Sequence, residues 1–243
     1  GHEGVTEMKY VSVDQMVAIE KAADRAGHSY QAMMEAAGRG LAEVIHHRYG
    51  NGPGRDVLAL VGSGNNGGDA LVALDYLLDR GWAASALILR QRDPDDPLIE
   101  RVLEKGGKVI PAADLDRYRD LLKNELRGAR VLLDGVLGTG IKLPLREPLD
   151  QLLEITAEVL DQIDPRPPLV AVDCPSGIDC DSGEASPVCL AADLTVTMAA
   201  VKQGTLKFPA YQYVGDLEVV DIGLPGGLPE WDQVQREIIR SDW

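Results

Sequence analysis

Apolar positions recur at helical spacing through the first fifty residues and then give way to short unbroken runs. Val13, Met16, Val17, Ile19, Ala23 and Ala26 follow roughly a 3.6-residue period, and SVDQ at 12–15 supplies a capping box ahead of them. Gly27 and His28 break the pattern. Ser29 can cap a second helix that turns Met33, Met34, Ala37, Leu41, Val44 and Ile45 inward, and RYGNGPG at 48–54 stops it. Beyond that point DVLALV (56–61), SALILR (85–90), GKVIP (107–111), RVLLD (130–134), PLVAVD (168–173), DLTVTM (193–198) and LEVVDI (217–222) predict strands. Most are apolar on consecutive positions, as strands covered on both faces are. Helical segments at 68–80, 97–106, 115–127 and 148–163 separate the strands. The alternation predicts a layered α/β fold with a mainly parallel sheet. Right-handed crossovers then gather the strand C-termini on one edge, where such sheets hold ligands. Residues 1–10, opening with the expression scar Gly1-His2, are expected to be a disordered leader, and 11–243 a single domain.

Charge and composition narrow the function. A formal charge of −15 argues against a binder of nucleic-acid backbones, and 5% aromatic content argues against a stacking platform for single strands. Any anion must therefore be held by backbone N–H groups and a few local cations. The start is polar rather than signal-like, and Cys174, Cys180 and Cys189 form no CxxC pair. Buried free thiols in a reducing, cytoplasmic setting are the expectation.

The stretch GSGNNGGD (62–69) joins a strand to a helix start, so its glycines can expose free N–H groups to an anion. No lysine follows as in a P-loop, and the strict GxGxxG spacing is absent. Asn65, Asn66 and Asp69 suit ribose hydroxyls or an oxygen-coordinated cation; alternatively the stretch is a tight turn with Asp69 capping the helix. Asp134, Asp173 and Asp221 each close a strand, and the first two are candidates for acid–base work near that turn. LGTGIK (137–142) offers a second nest of N–H groups with Lys142 beside it, and PSG (175–177) offers the Ser176 hydroxyl. Asp179 and Asp181 read as solvated turn residues. Lys202 is either a surface lysine or a cation facing a phosphate. All four histidines lie upstream of the glycine turn, so neither a Ser-His-Asp set nor a zinc site is indicated.

Together GSGNNGGDA, DGVLGTG, VAVDCPSGIDCDSG, TVTMAAVKQG and FPAYQYVGDLEVVDIGLP, with the opening SVDQMVAIEKAADRAG and AMMEAAG, resemble YjeF N-terminal domains, the NAD(P)H-hydrate epimerases. The resemblance runs from about Val11 to Pro225. It implies a Rossmann-like three-layer α/β/α sandwich that interconverts the R and S forms of hydrated NADH and NADPH (NAD(P)HX). It also implies a potassium ion, with Asn66, Asp134 and Ser176 supplying oxygens. Asn65, Asn66, Gly67, Gly68 and Asp69 would line the nucleotide. So would Gly138, Thr139, Gly140, Ile141, Lys142, Leu143 and Pro144. Asp173 would touch the hydrated ring as the leading acid–base group, with Asp134 second. Asp69's charge would then be tolerated because a cation stands near it. A separate ATP-dependent NAD(P)HX dehydratase is the expected partner, and a homodimer is an assembly this reading allows. Ala70 and Cys174 depart from the family pattern, which has glycine and an aliphatic residue there. The rival reading is a non-catalytic nucleotide- or protein-binding scaffold on the same fold.

Overall fold

A computed structural model describes residues 5–112, 114–234 and 236–240. The Gly1-His2 dipeptide lies outside them. Seven parallel strands form the main sheet: β2 (Asp56–Val61), β3 (Ala83–Ile88), β4 (Lys108–Pro111), β5 (Val131–Gly135), β6 (Leu169–Val172), β7 (Leu194–Met198) and β9 (Asp216–Val220). Their order is β4-β3-β2-β5-β6-β7-β9, so the chain reverses direction across the sheet between β2 and β5. That reversal opens a crevice beyond the strand C-termini. The glycine turn after β2 and the loop after β5 flank it.

Alternation along β2 shows how both faces are filled. Val57, Ala59 and Val61 join one apolar cluster, which includes Ile19, Leu41 and Leu71 from α1 (Val13–Arg25), α2 (Tyr30–Tyr49) and α3 (Asn65–Asp79). Leu58 and Leu60 point the other way, to Tyr118, Leu122, Leu153 and Val159 from α5 (Leu115–Leu126) and α6 (Leu149–Gln162). A short α4 (Pro97–Glu104) follows β3, and α7 (Pro229–Asp232) lies near the C-terminus. The expected three layers are present. Among the described residues, no helix is long and apolar enough to cross a membrane.

Two elements differ from expectation. Residues 5–10 are not a leader: β1 (Val5–Val11) pairs with β8 (Val201–Lys202) in parallel and with β10 (Arg236–Arg240) antiparallel, forming a small second sheet. Only distant segments supply these partners, so no local pattern announces them. Helix α3 begins at Asn65, inside the glycine turn rather than after it.

Helices α2 and α3 approach closely because Gly38 has no side chain. A Cβ there would overlap Val72 and stand 3.0 Å from the Asp69 carbonyl oxygen. Gly38→Ala should therefore destabilise the fold by about 1–3 kcal/mol, read as a lower denaturation midpoint with unchanged m-value.

Candidate active site

The turn after β2 is held from beneath. The Arg92 guanidinium donates to the carbonyls of Gly62 and Gly64, both at 3.0 Å, and its Nε pairs with Asp96 at 2.7 Å. Helix α3 starts from Gly64 with no side-chain cap, whereas Ser12, Ser29, Asp96 and Asp114 cap α1, α2, α4 and α5. The free N–H groups of α3 thus remain for a ligand. Asn66 is buried; its Oδ1 accepts from the Gly67 N–H at 3.0 Å while its Nδ2 has no partner. Asp69 stands in the second turn and does not cap the helix. Burial, then the neighbouring Asp173, pushes its carboxyl well above the usual range against the pull of Lys202.

Asp173 follows β6 with φ +69°, a left-handed conformation that an aspartate adopts only at some cost. The turn aims its Oδ1 at three donors: Lys202 Nζ at 2.7 Å, Thr197 Oγ1 at 3.0 Å and the Met198 N–H at 3.0 Å. Oδ2 makes no bond among the described residues. Lys202, neither a surface lysine nor a free phosphate clamp, is 1% exposed and also donates to the Met198 carbonyl at 2.7 Å. Burial opposes its charge, but Asp173 and the nearby thiols outweigh that and raise its pKa.

Asp134, at the end of β5, is wholly buried and lies behind the cavity wall rather than on it. Its Oδ1 accepts from Ser176 Oγ at 2.5 Å and from the Val136 N–H at 3.3 Å; its Oδ2 accepts from the Ser176 N–H at 2.7 Å. Ser176 Oγ in turn accepts from the Leu137 N–H at 3.0 Å, which ties the loops after β5 and β6 together. Burial pushes Asp134 up to about 6 in spite of these bonds.

Above these groups opens a cavity of about 600 Å³. Asn65, Asn66, Asp69, Gly138, Thr139, Gly140, Ile141, Asp173 and Lys202 line it, as do Met33, Met34, Met198 and Ile222 on an apolar wall. Lys142, Leu143 and Pro144 instead line an adjoining cavity of about 560 Å³ that shares Gly140 and Ile141 with the first. Gly67 and Gly68 line neither, being packed at the start of α3. Asp221 only closes a turn onto the Gly223 N–H. Asp179 accepts from the N–H groups of Asp181 and Ser182, and Asp181 accepts from Val13, so both organise their loop. Among the described residues no group of three or more His, Cys, Asp or Glu side chains could hold a metal. Cys174 and Cys180 are buried, Cys189 partly so, and all three are free; a hydrogen bond from its own thiol to Cys180, then burial, raise the pKa of Cys174 well above the usual thiol range.

Glu20 of α1 also lines the cavity and was not singled out in the sequence. A signal existed: Glu20 lies four residues after Met16 and three before Ala23, an acid on the inward stripe. Lys202→Met should destabilise the protein by about 3–5 kcal/mol, because Asp173 keeps a partly buried charge without its cation. Adding Asp173→Asn should recover part of that loss in a double-mutant cycle read by chemical denaturation; asparagine tolerates the left-handed backbone.

The sequence profile of the family described as "YjeF-related protein N-terminus" matches residues 30–204. The chain is similar to the NAD(P)H-hydrate epimerase of Cenarchaeum symbiosum, at 33% identity over 88% of this chain and 95% of that protein. It is also similar to that of Clavibacter sepedonicus, at 36% over 79% and 82%. The bifunctional NAD(P)H-hydrate repair enzyme Nnr of Pyrobaculum aerophilum shares 34% identity over 90% of this chain, which spans only 42% of that protein. A crystal structure of the yeast protein ynu0 superposes with a TM-score of 0.73, covering 95% of this chain and 100% of the other at 24% identity, and so supports the fold. The chain belongs to the YjeF-related N-terminal family.

Proposed function

We propose that this chain epimerises hydrated NADH and NADPH at the hydrated nicotinamide carbon. The observation that carries the reading is one cavity in which an ion-paired carboxylate, Asp173, meets a second, buried carboxyl, Asp69, whose pKa burial raises. That arrangement suits giving and taking protons at a single carbon. The rest of the cavity suits a dinucleotide: free N–H groups at the start of α3 for phosphate, and methionines for a flat ring. The adjoining cavity shares Arg90 with the first and adds Lys142 and Arg146, with no carboxylate in its lining.

The hydrated carbon carries both a hydroxyl and the ring nitrogen, so it is a carbinolamine. Protonating the hydroxyl lets water leave while the nitrogen lone pair forms a C=N bond. Water returning on the other face gives the other epimer. Asp173 Oδ2, facing away from its three donors, takes or gives the proton. Asp134 has no path to this carbon; its part is to hold the loops after β5 and β6 in register.

Potassium fits the residues present. Asp134 is a fully buried carboxylate with no cationic side chain acting on it among the described residues, and Ser176 adds a hydroxyl oxygen. Asn66 fits only with its amide turned, which moves oxygen to the unpartnered nitrogen's place and gives up the Gly67 bond. Bound there, the ion would supply positive charge that neutralises Asp134 and stiffens both loops. A separate ATP-dependent dehydratase would then consume one epimer.

Purified protein added to R-enriched hydrated NADH should speed equilibration of the two epimers, followed by chromatography against the spontaneous rate. Asp173→Asn should lose about 10²–10⁴ of that acceleration. Full activity in the variant removes Asp173 from the chemistry. No acceleration by the unmodified protein, with nucleotide binding intact, favours the scaffold reading. Replacing potassium by a bulky organic cation should lower the melting temperature, and Asp134→Asn should abolish that dependence.

A further inference from the structure

Glu20 lines the cavity together with Asp69, Asp173 and Lys202, yet nothing in the motif-bearing loops supplies it. It comes from α1, ahead of the residues 30–204 that the family profile covers. Among the described residues its carboxyl makes no hydrogen bond or ion pair, and it is only partly buried. An acid on the inward stripe of a helix, aimed into a cavity and left without a partner, has no structural task.

Resting on the epimerase reading, we propose that Glu20 is a catalytic residue: it carries the proton to and from the substrate hydroxyl, with Asp173 as its counterpart at the reacting carbon. The charged groups acting on Glu20 are Lys202 from β8, Asp173 after β6 and Asp69 from α3, and Tyr30 of α2 shares the same cavity. Three carboxyls therefore share the cavity with Lys202 and Arg90. Lys202 commits its charge to Asp173 at 2.7 Å, and among the described residues neither Glu20 nor Asp69 has an ion pair of its own. Burial raises Glu20, opposed by Lys202 and reinforced by Asp173. Asp69, at 8% exposed, is the more enclosed of the two although it lines the same cavity. Glu20 is the more open of the two and can exchange its proton with water.

The step balances. In one direction the Glu20 carboxyl protonates the substrate hydroxyl. The C–O bond breaks, water leaves with the bonding pair, and the ring nitrogen's lone pair forms the C=N bond. A water oxygen then adds to the opposite face, the nitrogen recovers its pair, and Asp173 Oδ2 takes the released proton. Glu20 is left ionised and Asp173 protonated, which is the form that runs the opposite direction. No oxidant or second substrate is consumed.

The test compares Glu20→Gln and Glu20→Asp with the unmodified protein in the epimer-exchange assay, with kcat and KM measured across pH. Glu20→Gln should lose about 10²–10⁴ in kcat with KM within about twofold, and the alkaline limb of the pH profile should vanish. Glu20→Asp should recover part of the rate. The melting temperature of Glu20→Gln at neutral pH should match or exceed that of the unmodified protein. The sign follows from the raised pKa: the native state favours the protonated acid, so ionising it at neutral pH costs stability that a neutral amide does not. Unchanged kcat and pH profile in Glu20→Gln would overturn the proposal, as would a rise in KM alone. If the unmodified protein itself fails to speed exchange, the epimerase reading falls and this proposal with it, a result distinct from an active protein with an indifferent Glu20.

Discussion

The buried pair between Lys202 and Asp173 is the constraint around which the cavity is arranged. An ammonium that is 1% exposed survives as a charge only if a carboxylate compensates it at close range. That requirement fixes the left-handed turn at Asp173, because only there does the carboxylate swing back to Lys202, Thr197 and the Met198 N–H. It also accounts for the small second sheet. β8 contains Lys202 and is held in place by β1, whose Val11 lies directly opposite Lys202 in the parallel register. A strand from the very start of the described chain thus anchors a charge needed in the middle of the cavity.

Lys202 is committed to Asp173, and among the described residues neither Asp69 nor Glu20 has an ion pair of its own, although Arg90 lines the same cavity. Asp69 and Glu20 both have raised pKa values, first through burial. Their sign is the reverse of a salt-bridged carboxylate: each favours the native state most at low pH and loses that contribution as pH rises through its folded value. The protein therefore keeps two acids that cost stability at neutral pH. A site under selection only for folding would replace them with amides or apolar residues. Their presence together in one cavity is in keeping with the proton chemistry proposed above.

How much of this was legible in the sequence follows from the range of each interaction. Strands such as 56–61 appear where the apolar runs put them, because a strand buried on both faces writes itself in consecutive residues. The glycine turn and the aspartates ending β5 and β6 were legible for the same local reason. β1 was missed because its partners lie about 190 and 230 residues away, in pairings that no short window contains. The raised pKa of Asp69 was not legible, because burial rather than residue type is its first cause. Asp134 was legible as an unusual acid, but its place behind the wall depends on Ser176 closing over it from another loop.

The scaffold alternative can be weighed on energy rather than on resemblance. A binding module needs the free N–H groups at the start of α3 and the cations Arg90, Lys142 and Arg146, which give this acidic chain a local positive field for phosphates. It has no need of Lys202 and Asp173 in the floor, since a buried ion pair is often replaced by apolar residues at no loss of stability. It has less need still of a strained backbone at Asp173 that leaves one carboxylate oxygen unbonded. The groups that bind and the groups that cost free energy are separate sets of residues in this cavity. Binding accounts for the first set, and the proposed proton transfer gives the second a task.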